Sequence, residues 1–108
     1  MPTHRRERRS SRPEVALSLF FEQLREREEL EAVALTTDDG LYISGSGPVD
    51  LAQLGAAGSA TKGTSFEWER RTAHVRRFEH HGVPLVLTSA GRALFGDGHA
   101  LSIGRILG

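Results

Sequence analysis

The sequence predicts an α+β domain in which a central antiparallel sheet is flanked by helices. Two alternating segments, residues 31–37 and 41–46, meet at the pair Asp39-Gly40. An amphipathic helix precedes them, and a helix of very small side chains follows. An Asp-Gly pair between alternating segments is a strong hairpin signal. Helices on either side of a hairpin predict an antiparallel sheet with its helices segregated from the strands.

The first helix is predicted over residues 13–28, with its start at Ser11-Arg12-Pro13-Glu14. Ser11 and Glu14 have the spacing of a capping box, and Pro13 suits a first turn, where its missing N–H is not needed. Apolar residues then recur at helical spacing, and Leu19 widens their surface. The apolar stripe consists of Val15, Leu17, Phe20, Phe21 and Leu24.

The hairpin and the helix after it are predicted from turn and cap residues. Gly40 is expected to adopt positive φ, because the type I′ turn typical of Asp-Gly requires it. Asp50 with Gln53 indicates the start of a second helix over residues 51–62. Glycine and alanine dominate this helix, and each glycine costs about 1 kcal/mol relative to alanine. Close packing must therefore hold it.

Small side chains also permit the close approach of another backbone. We therefore predict that the second helix lies at or near the two-fold axis of a homodimer, with the same patch used on both subunits. The predicted interface residues are Leu51, Leu54, Gly55, Gly58 and Thr61.

The second half of the chain predicts further strands and a closing helix. A polar strand is expected over residues 69–80, a turn at Gly82, and a buried strand over residues 83–89. The short apolar piece 93–95 is a candidate for a fifth strand, and residues 100–107 are expected to form a helix.

Phe66 and Trp68 precede the polar strand. We interpret them as part of the core, because large aromatic residues are mostly buried. The alternative is an exposed interaction patch.

Residues 1–12 are predicted to be a disordered, arginine-rich tail ahead of a single domain over residues 13–108. The tail carries five arginines against Glu7. Such a tail could contact the phosphates of nucleic acid or anionic lipid. No aromatic residue is interleaved with the arginines and no nucleic-acid-binding motif follows, so a solubilising tail is favoured.

Composition limits the classes of protein that fit. No apolar run approaches the roughly 18 residues that span a bilayer, and no apolar segment follows the N-terminal arginines as in a secretory signal. We therefore expect a cytoplasmic protein. The chain has no cysteine, which excludes disulfides, thiolate metal sites and thiol nucleophiles. Abundant arginine, alanine and glycine indicate a bacterial source with a GC-rich genome.

The histidines do not predict a metal site. His74, His80 and His81 are close in sequence. A metal would need a further ligand, such as His99 or Asp97, from elsewhere in the chain. The spacing of the histidines does not indicate that arrangement, so we expect them to be exposed residues of strands and turns.

Motifs for catalysis are also missing. The segment 58–64 has Lys62 before Gly63, whereas a phosphate-binding loop requires glycine, lysine and then serine or threonine. Asp38 and Asp39 suit a turn. No Gly-x-Ser-x-Gly elbow surrounds a serine; the serines weighed as nucleophiles are Ser44, Ser46 and Ser59. We predict no enzyme activity, no catalytic residue and no cofactor.

From Leu30 onward the chain resembles the Roadblock family, which is named for a light chain of the dynein motor. The resemblance lies in an amphipathic helix, alternating residues that lead into Asp-Gly-Leu, a strand ending in Ser-Gly, an acidic helix start and an Ala-rich helix. These elements are residues 13–28, 33–39, 40–41 and 43–47, Asp50, and residues 51–60. The segment 84–91 and the terminal residues 104–107 also suit bacterial members.

The resemblance implies a profilin-like α+β fold, usually in a homodimer that binds or regulates Ras-like GTPases without catalytic residues of its own. The sequence thus predicts a non-catalytic homodimeric module that binds a small GTPase. The alternative is a small-ligand sensor domain of the related GAF or PAS type. A sensor needs an enclosed apolar pocket with a few convergent polar groups, which an assembly module does not.

Overall fold

The computed structural model describes residues 2–94 and 98–108, with side chains from residue 13 onward. The described residues form α1 (Pro2–Glu28), β1 (Ala32–Thr37), β2 (Tyr42–Ser46), α2 (Leu51–Ala60), β3 (Ser65–Trp68), β4 (Arg71–His80), β5 (Val83–Ala90) and α3 (Gly98–Leu107). The strands form one antiparallel sheet in the order β2-β1-β5-β4-β3. The predicted α+β class is confirmed, and the architecture is consistent with a Roadblock/profilin-like fold.

The sheet separates two apolar layers. α1 and α3 cover one face and α2 covers the other. Successive side chains of β1 point to opposite faces of the sheet and so contribute to both layers. Val33 and Leu35 lie on the α1 side, and Ala32 and Ala34 lie on the α2 side. The α2 side is lined mainly by alanine around Leu54, so its helix can lie close to the strands.

α1 begins at Pro2, so the start predicted at Ser11-Arg12-Pro13-Glu14 lies inside the helix. The predicted apolar stripe is only partly buried. Leu17, Phe21 and Leu24 are fully packed, whereas Val15 is 55% exposed and Leu19 is 52% exposed. The disorder predicted for residues 1–12 stays a prediction, because their side chains lie outside the described part of the chain.

The turn between β1 and β2 differs from the predicted type. Gly40 has φ of +91°, as predicted, but Asp39 does not have positive φ. The Gly40 amide donates to the Thr37 carbonyl at 3.0 Å, and the Thr37 amide donates to the Leu41 carbonyl at 2.9 Å. The turn therefore centres on Asp38 and Asp39, and Gly40 follows in the left-handed region, as in a three-residue hairpin loop rather than a type I′ turn.

The polar strand predicted over residues 69–80 is wrong at its start. β3 and β4 form a hairpin in which Trp68 pairs with Arg71. Glu69 and Arg70 connect them with φ values of 45° and 68°. Positive φ at both central residues is the feature of a type I′ turn. The predicted turn at Gly82 is confirmed, with His81 and Gly82 at φ values of 51° and 78°.

The fifth strand of the sheet is β3, not the piece 93–95. Ala93 and Leu94 form no strand, and Phe95 lies outside the described residues. The buried strand and the closing helix are confirmed as β5 and α3. No helix among residues 2–94 and 98–108 is long and apolar enough to cross a bilayer.

Candidate functional site

The position of α2 is set by its N-cap and by its glycines. The Asp50 side chain accepts a hydrogen bond from the Gln53 amide at 3.1 Å, which confirms the predicted start of the helix. A Cβ placed on Gly58 would lie 1.9 Å from Oγ1 of Thr88, and one placed on Gly55 would lie 2.3 Å from Cγ2 of Thr36. The two glycines thus allow α2 to contact its own sheet directly.

The residues predicted at a dimer interface do not share one environment. Leu54, Gly55 and Gly58 are buried toward the sheet of the same chain, while Leu51 and Thr61 are half-buried. The small size of Gly55 and Gly58 is therefore explained by packing within the chain. A second copy that approaches α2 would meet the opposite side of the helix.

That opposite side of α2 is also built of small residues. Ala52, Ala56 and Ala60 are exposed and recur every four residues, so they form one outward stripe. α2 packs against β3 as well as against β1 and β5. We call the outward alanine stripe together with β3 the α2–β3 surface.

β3 has an open edge within the described chain. It pairs with β4, and no described strand pairs with its other side. Unpaired amides and carbonyls on such an edge can accept another strand. Phe66 and Trp68 pack on the apolar layer beneath α2 but stay half-buried. The sequence left open whether these two residues are core or an exposed patch. Each ring does both, since part of it packs in the core and part is accessible to solvent.

The connection between α2 and β3 is held by Arg77. Its Nη1 donates to the Gly63 carbonyl at 3.2 Å, and its Nη2 donates to the Thr61 carbonyl. Nη2 also lies 3.5 Å from the Gly58 carbonyl oxygen. A guanidinium at the C-terminal end of a helix satisfies carbonyls that have no intrahelical partner and suits the helix dipole. Arg77 thus ties the end of α2 to the strand beside the open edge.

The segment 58–64 is the end of a helix, as the sequence predicted. The Thr61 amide donates to the Gly58 carbonyl at 3.2 Å, and Lys62 is exposed.

The serines considered as nucleophiles are hydrogen-bonded or buried within the fold. Ser46 Oγ accepts from Arg25 Nη1 at 3.0 Å, and Ser59 Oγ donates to the Ala56 carbonyl at 3.0 Å. Ser44 is buried in β2.

The histidines lie in two places. The rings of His80 and His81 have centroids 4.2 Å apart, and His81 Nε2 lies 2.9 Å from the Gly108 carbonyl oxygen. His74 lines a cleft beside Arg76 and Leu94. Asp97 lies outside the described residues. Among the residues that are described, no three His, Cys, Asp or Glu side chains are grouped so that they could hold a metal ion.

His99 lies at the start of α3, where its ring is half-buried. Its Nδ1 is buried without a hydrogen-bond partner. Burial lowers the pKa of His99 below its ordinary value, and the neighbouring Glu28 only partly offsets this effect. A neutral imidazole at this position fits a packing role at the start of α3.

Three clefts bear on the sensor alternative. Their volumes are about 360, 560 and 540 Å³, and each opens to solvent. The first two share His74 and Ala93, and the third lies between α3 and the turn from β4 to β5. A ligand pocket normally encloses most of its ligand. These open clefts do not have the enclosed apolar form that a sensor requires.

Sequence reasoning missed the alanine stripe and the open edge. It named only the face of Leu51, Leu54, Gly55, Gly58 and Thr61, and it did not separate β3 from β4. The stripe was recoverable from the spacing of Ala52, Ala56 and Ala60 alone. The edge was not recoverable without the Glu69-Arg70 turn.

The chain was compared with protein families, curated proteins and solved structures. No family model matches this chain, and neither the curated proteins nor the solved structures contain a significant match to it.

Proposed function

We propose that this chain is a non-catalytic interaction module that pairs with a second copy through the α2–β3 surface and, as a homodimer, binds a Ras-like small GTPase. The observation that carries the proposal is the open edge of β3, on which Phe66 and Trp68 are only half-buried. The proposal places the chain in the cytoplasm, where small GTPases act.

The α2–β3 surface suits a partner with the same surface. Two β3 strands related by a two-fold axis run antiparallel, so their open edges can pair and extend the sheet across both subunits. Ala52, Ala56 and Ala60 add little bulk to the outward side of α2, which lets another helix approach it. Half-buried Phe66 and Trp68 supply apolar area that a second copy would cover.

The GTPase is proposed from the resemblance to the Roadblock family, and the open clefts support an interaction module over a ligand sensor. A regulator must bind the two nucleotide states of a GTPase with different affinity, because a ligand shifts an equilibrium only by its differential affinity.

The dimer is tested by light scattering on the full chain at micromolar concentration in high salt. We expect a dimer for the wild type and a monomer for Ala56→Arg, which places a charge in the alanine stripe without touching the core. Leu101→Arg is the matched control, because Leu101 is 65% exposed on α3, which covers the other face of the sheet. A strictly monomeric wild type would contradict the homodimer.

The GTPase is tested by measuring affinity for small GTPases of the same genome, loaded with GDP or with a GTP analogue. We expect at least one of them to bind with a clear preference for one nucleotide state. Ala56→Arg should weaken this binding if the dimer is the binding form. Failure of every GTPase, together with a small molecule that copurifies with the protein, would replace this proposal by the sensor function.

A further inference from the structure

β4 has a stretch of open edge that the α2–β3 surface does not include. β3 pairs with β4 only as far as His74, and the Val75 amide then donates to the Thr64 carbonyl at 2.8 Å. β4 itself continues to His80. No described strand pairs with this side of residues 76–80, which we call the β4 edge.

The backbone groups that the β4 edge presents follow from the register of the sheet. Alternate residues of an antiparallel strand direct their N–H and C=O groups to the same side. Arg77 and Glu79 therefore present these groups on the same side as Val75. The even-numbered residues of β4 direct theirs toward β5, and the hydrogen bond of 3.1 Å from the Gly91 amide to the Thr72 carbonyl follows the same alternation. The β4 edge can thus accept an extended chain at two residues.

The β4 edge is closed at one end and open at the other. Thr64 occupies the position beside Val75, so a strand added along the edge cannot continue past that point. At the other end β4 passes into the turn at His81 and Gly82. All neighbouring strands in the described sheet are antiparallel. A chain added in the same way would run from His80 toward Thr64, and its C-terminal end would lie at the closed end.

The first of the three clefts lies at this closed end, and its described lining is basic. It holds histidine and arginine side chains and no acidic one, and its residues are Thr64, His74, Val75, Arg76, Arg77, Ala93 and Leu94. Arg77 donates to the carbonyls of Thr61 and Gly63, which are neutral groups and do not cancel its charge. Such a lining favours a carboxylate. A chain that ends at Thr64 brings its own terminal carboxylate to this place.

We propose that the β4 edge binds the C-terminal segment of another protein as an added antiparallel strand, with the terminal carboxylate in the first cleft. The last residue of the segment lies opposite Arg77. Its amide donates to the Arg77 carbonyl, and its carboxylate accepts from the Arg77 amide. The positive side chain of Arg77 lies beside the same carboxylate. The proposal does not rest on the proposed dimer, because pairing of two β3 strands uses residues 65–68 and not the β4 edge.

The faces of the sheet decide which side chains suit the preceding positions of the segment. Residues directly opposite each other on two strands share a face. The residue before the last lies opposite Phe78 on the α3 side, where Phe78 and the exposed Leu101 line the third cleft and favour an apolar side chain. The residue before that lies opposite Glu79, where a neutral or basic side chain avoids repulsion.

A second copy of this chain fits the β4 edge less well than a free C-terminal segment. A register that pairs Arg77 with Glu79 of the second copy also sets position 75 opposite position 81. The turn of the second copy at His81 and Gly82 would then meet Thr64, which already lies beside Val75. A segment that ends opposite Arg77 has no such continuation.

The proposal is tested with a short synthetic peptide that ends in valine-threonine-valine-alanine and carries a fluorophore at its N-terminus. Fluorescence anisotropy measures its binding to the full chain. The peptide with a free carboxylate should bind about tenfold or more tightly than the same peptide with a C-terminal amide. Two glycines added after the alanine should weaken binding to a similar extent, because Thr64 closes the edge. No binding at millimolar peptide, or equal affinity of the acid and the amide, would overturn the proposal.

Methylation of the peptide backbone tests whether the peptide adds as a strand. In the proposed register the threonine amide donates to Glu79, whereas both valine amides point away from β4. N-methylation of the threonine should abolish binding. N-methylation of the valine next to the alanine is the matched control and should leave binding intact. The opposite pattern, or equal effects of the two methyl groups, would contradict antiparallel addition.

Hydrogen exchange measured by NMR locates the bound peptide on the chain. The Arg77 and Glu79 amides should exchange more slowly when the free-acid peptide is bound. The Arg76 and Phe78 amides already face β5 and should change little. Slower exchange in β2 instead, at the opposite edge of the sheet, would overturn the proposal.

A variant of the first cleft tests the place of the carboxylate. His74→Glu adds a negative charge to the lining and should weaken binding of the free-acid peptide more than binding of the amide. Gln23→Glu makes the same change at an exposed position of α1 and should have no effect. Thermal unfolding should show that both variants fold. Self-association of the Ala56→Arg chain that is lost on adding Glu79→Arg would assign the β4 edge to a second copy and overturn the proposal.

Discussion

Gly58 shows that a small residue in a helix can be explained by packing within its own chain. Its place in a small-residue helix pointed to contact with a second copy, but it lies against Thr88 of its own chain. Smallness in a helix indicates that some backbone or side chain comes close. The sequence does not say whether that neighbour belongs to the same molecule.

Gly58→Ala should therefore destabilise the fold. The added Cβ would lie 1.9 Å from Oγ1 and 2.9 Å from Cβ of Thr88, so α2 must move from the sheet. Overpacking of this kind costs about 1–3 kcal/mol in the free energy of unfolding, which urea denaturation measures. Gly63→Ala is the control, because a Cβ there meets nothing within 4 Å.

A double-mutant cycle identifies the contact. Thr88→Ala removes Oγ1 and Cγ2, the two side-chain ends that the new Cβ would meet, and leaves only Cβ at 2.9 Å, so Gly58→Ala should cost less in that background. An equal cost in both backgrounds would show that the helix is destabilised by something other than Thr88.

Gly40 gives the second prediction about a single residue. Its φ of +91° lies in a region that β-branched residues avoid. Gly40→Val should reduce the free energy of unfolding by about 1–3 kcal/mol. Gly40→Asn should cost less, because asparagine tolerates left-handed backbone better than valine does. If Gly40→Val unfolds at the same urea concentration as the wild type, the β1–β2 turn described here is incorrect.

Helices and hairpins were predictable where their ends carry recognisable residues. Asp50 marked the start of α2, and Gly40 and Gly82 marked two of the three turns between paired strands. The β3–β4 hairpin was missed, because Glu69 and Arg70 are not residues that favour positive φ. The start of α1 was misplaced for a similar reason: Ser11 and Pro13 form a good start signal even though the helix continues through them.

The Glu69-Arg70 turn can be improved by substitution. Both residues hold positive φ at a cost in strain, whereas Asn-Gly adopts the same conformation readily. Glu69→Asn with Arg70→Gly should raise the free energy of unfolding by about 1 kcal/mol, measured by urea denaturation. The same pair of changes at Asp38 and Asp39 provides a contrast, since the β1–β2 turn does not require positive φ at those positions. A loss of stability at Glu69 and Arg70 would argue against a type I′ turn.

At the scale of the whole molecule, α1 and α3 cover one face of the sheet and α2 covers the other. Only part of the candidate site could be predicted from the sequence. A pattern shows which side chains are small or apolar, but the sheet order decides which of them the chain itself covers. Ala56 and Leu19 are left uncovered, while Gly58 and Leu17 are not. Ala56→Arg should thus change association, and variants at Gly58 and Leu17 should change folding.

Deleting residues 1–10 should leave the rest of the chain folded. Apart from Met1 and Pro2, these residues offer no apolar side chain to bury. The shortened chain would begin at Ser11, where Ser11 and Glu14 can form a capping box and Pro13 falls in the first turn. The signal that lies inside the full-length helix would then act as its real start. In dilute solution the midpoint of thermal unfolding should stay within about 3 °C of the wild type, a shift worth under 1 kcal/mol. A larger fall in the midpoint would show that the arginines pack or pair on the domain.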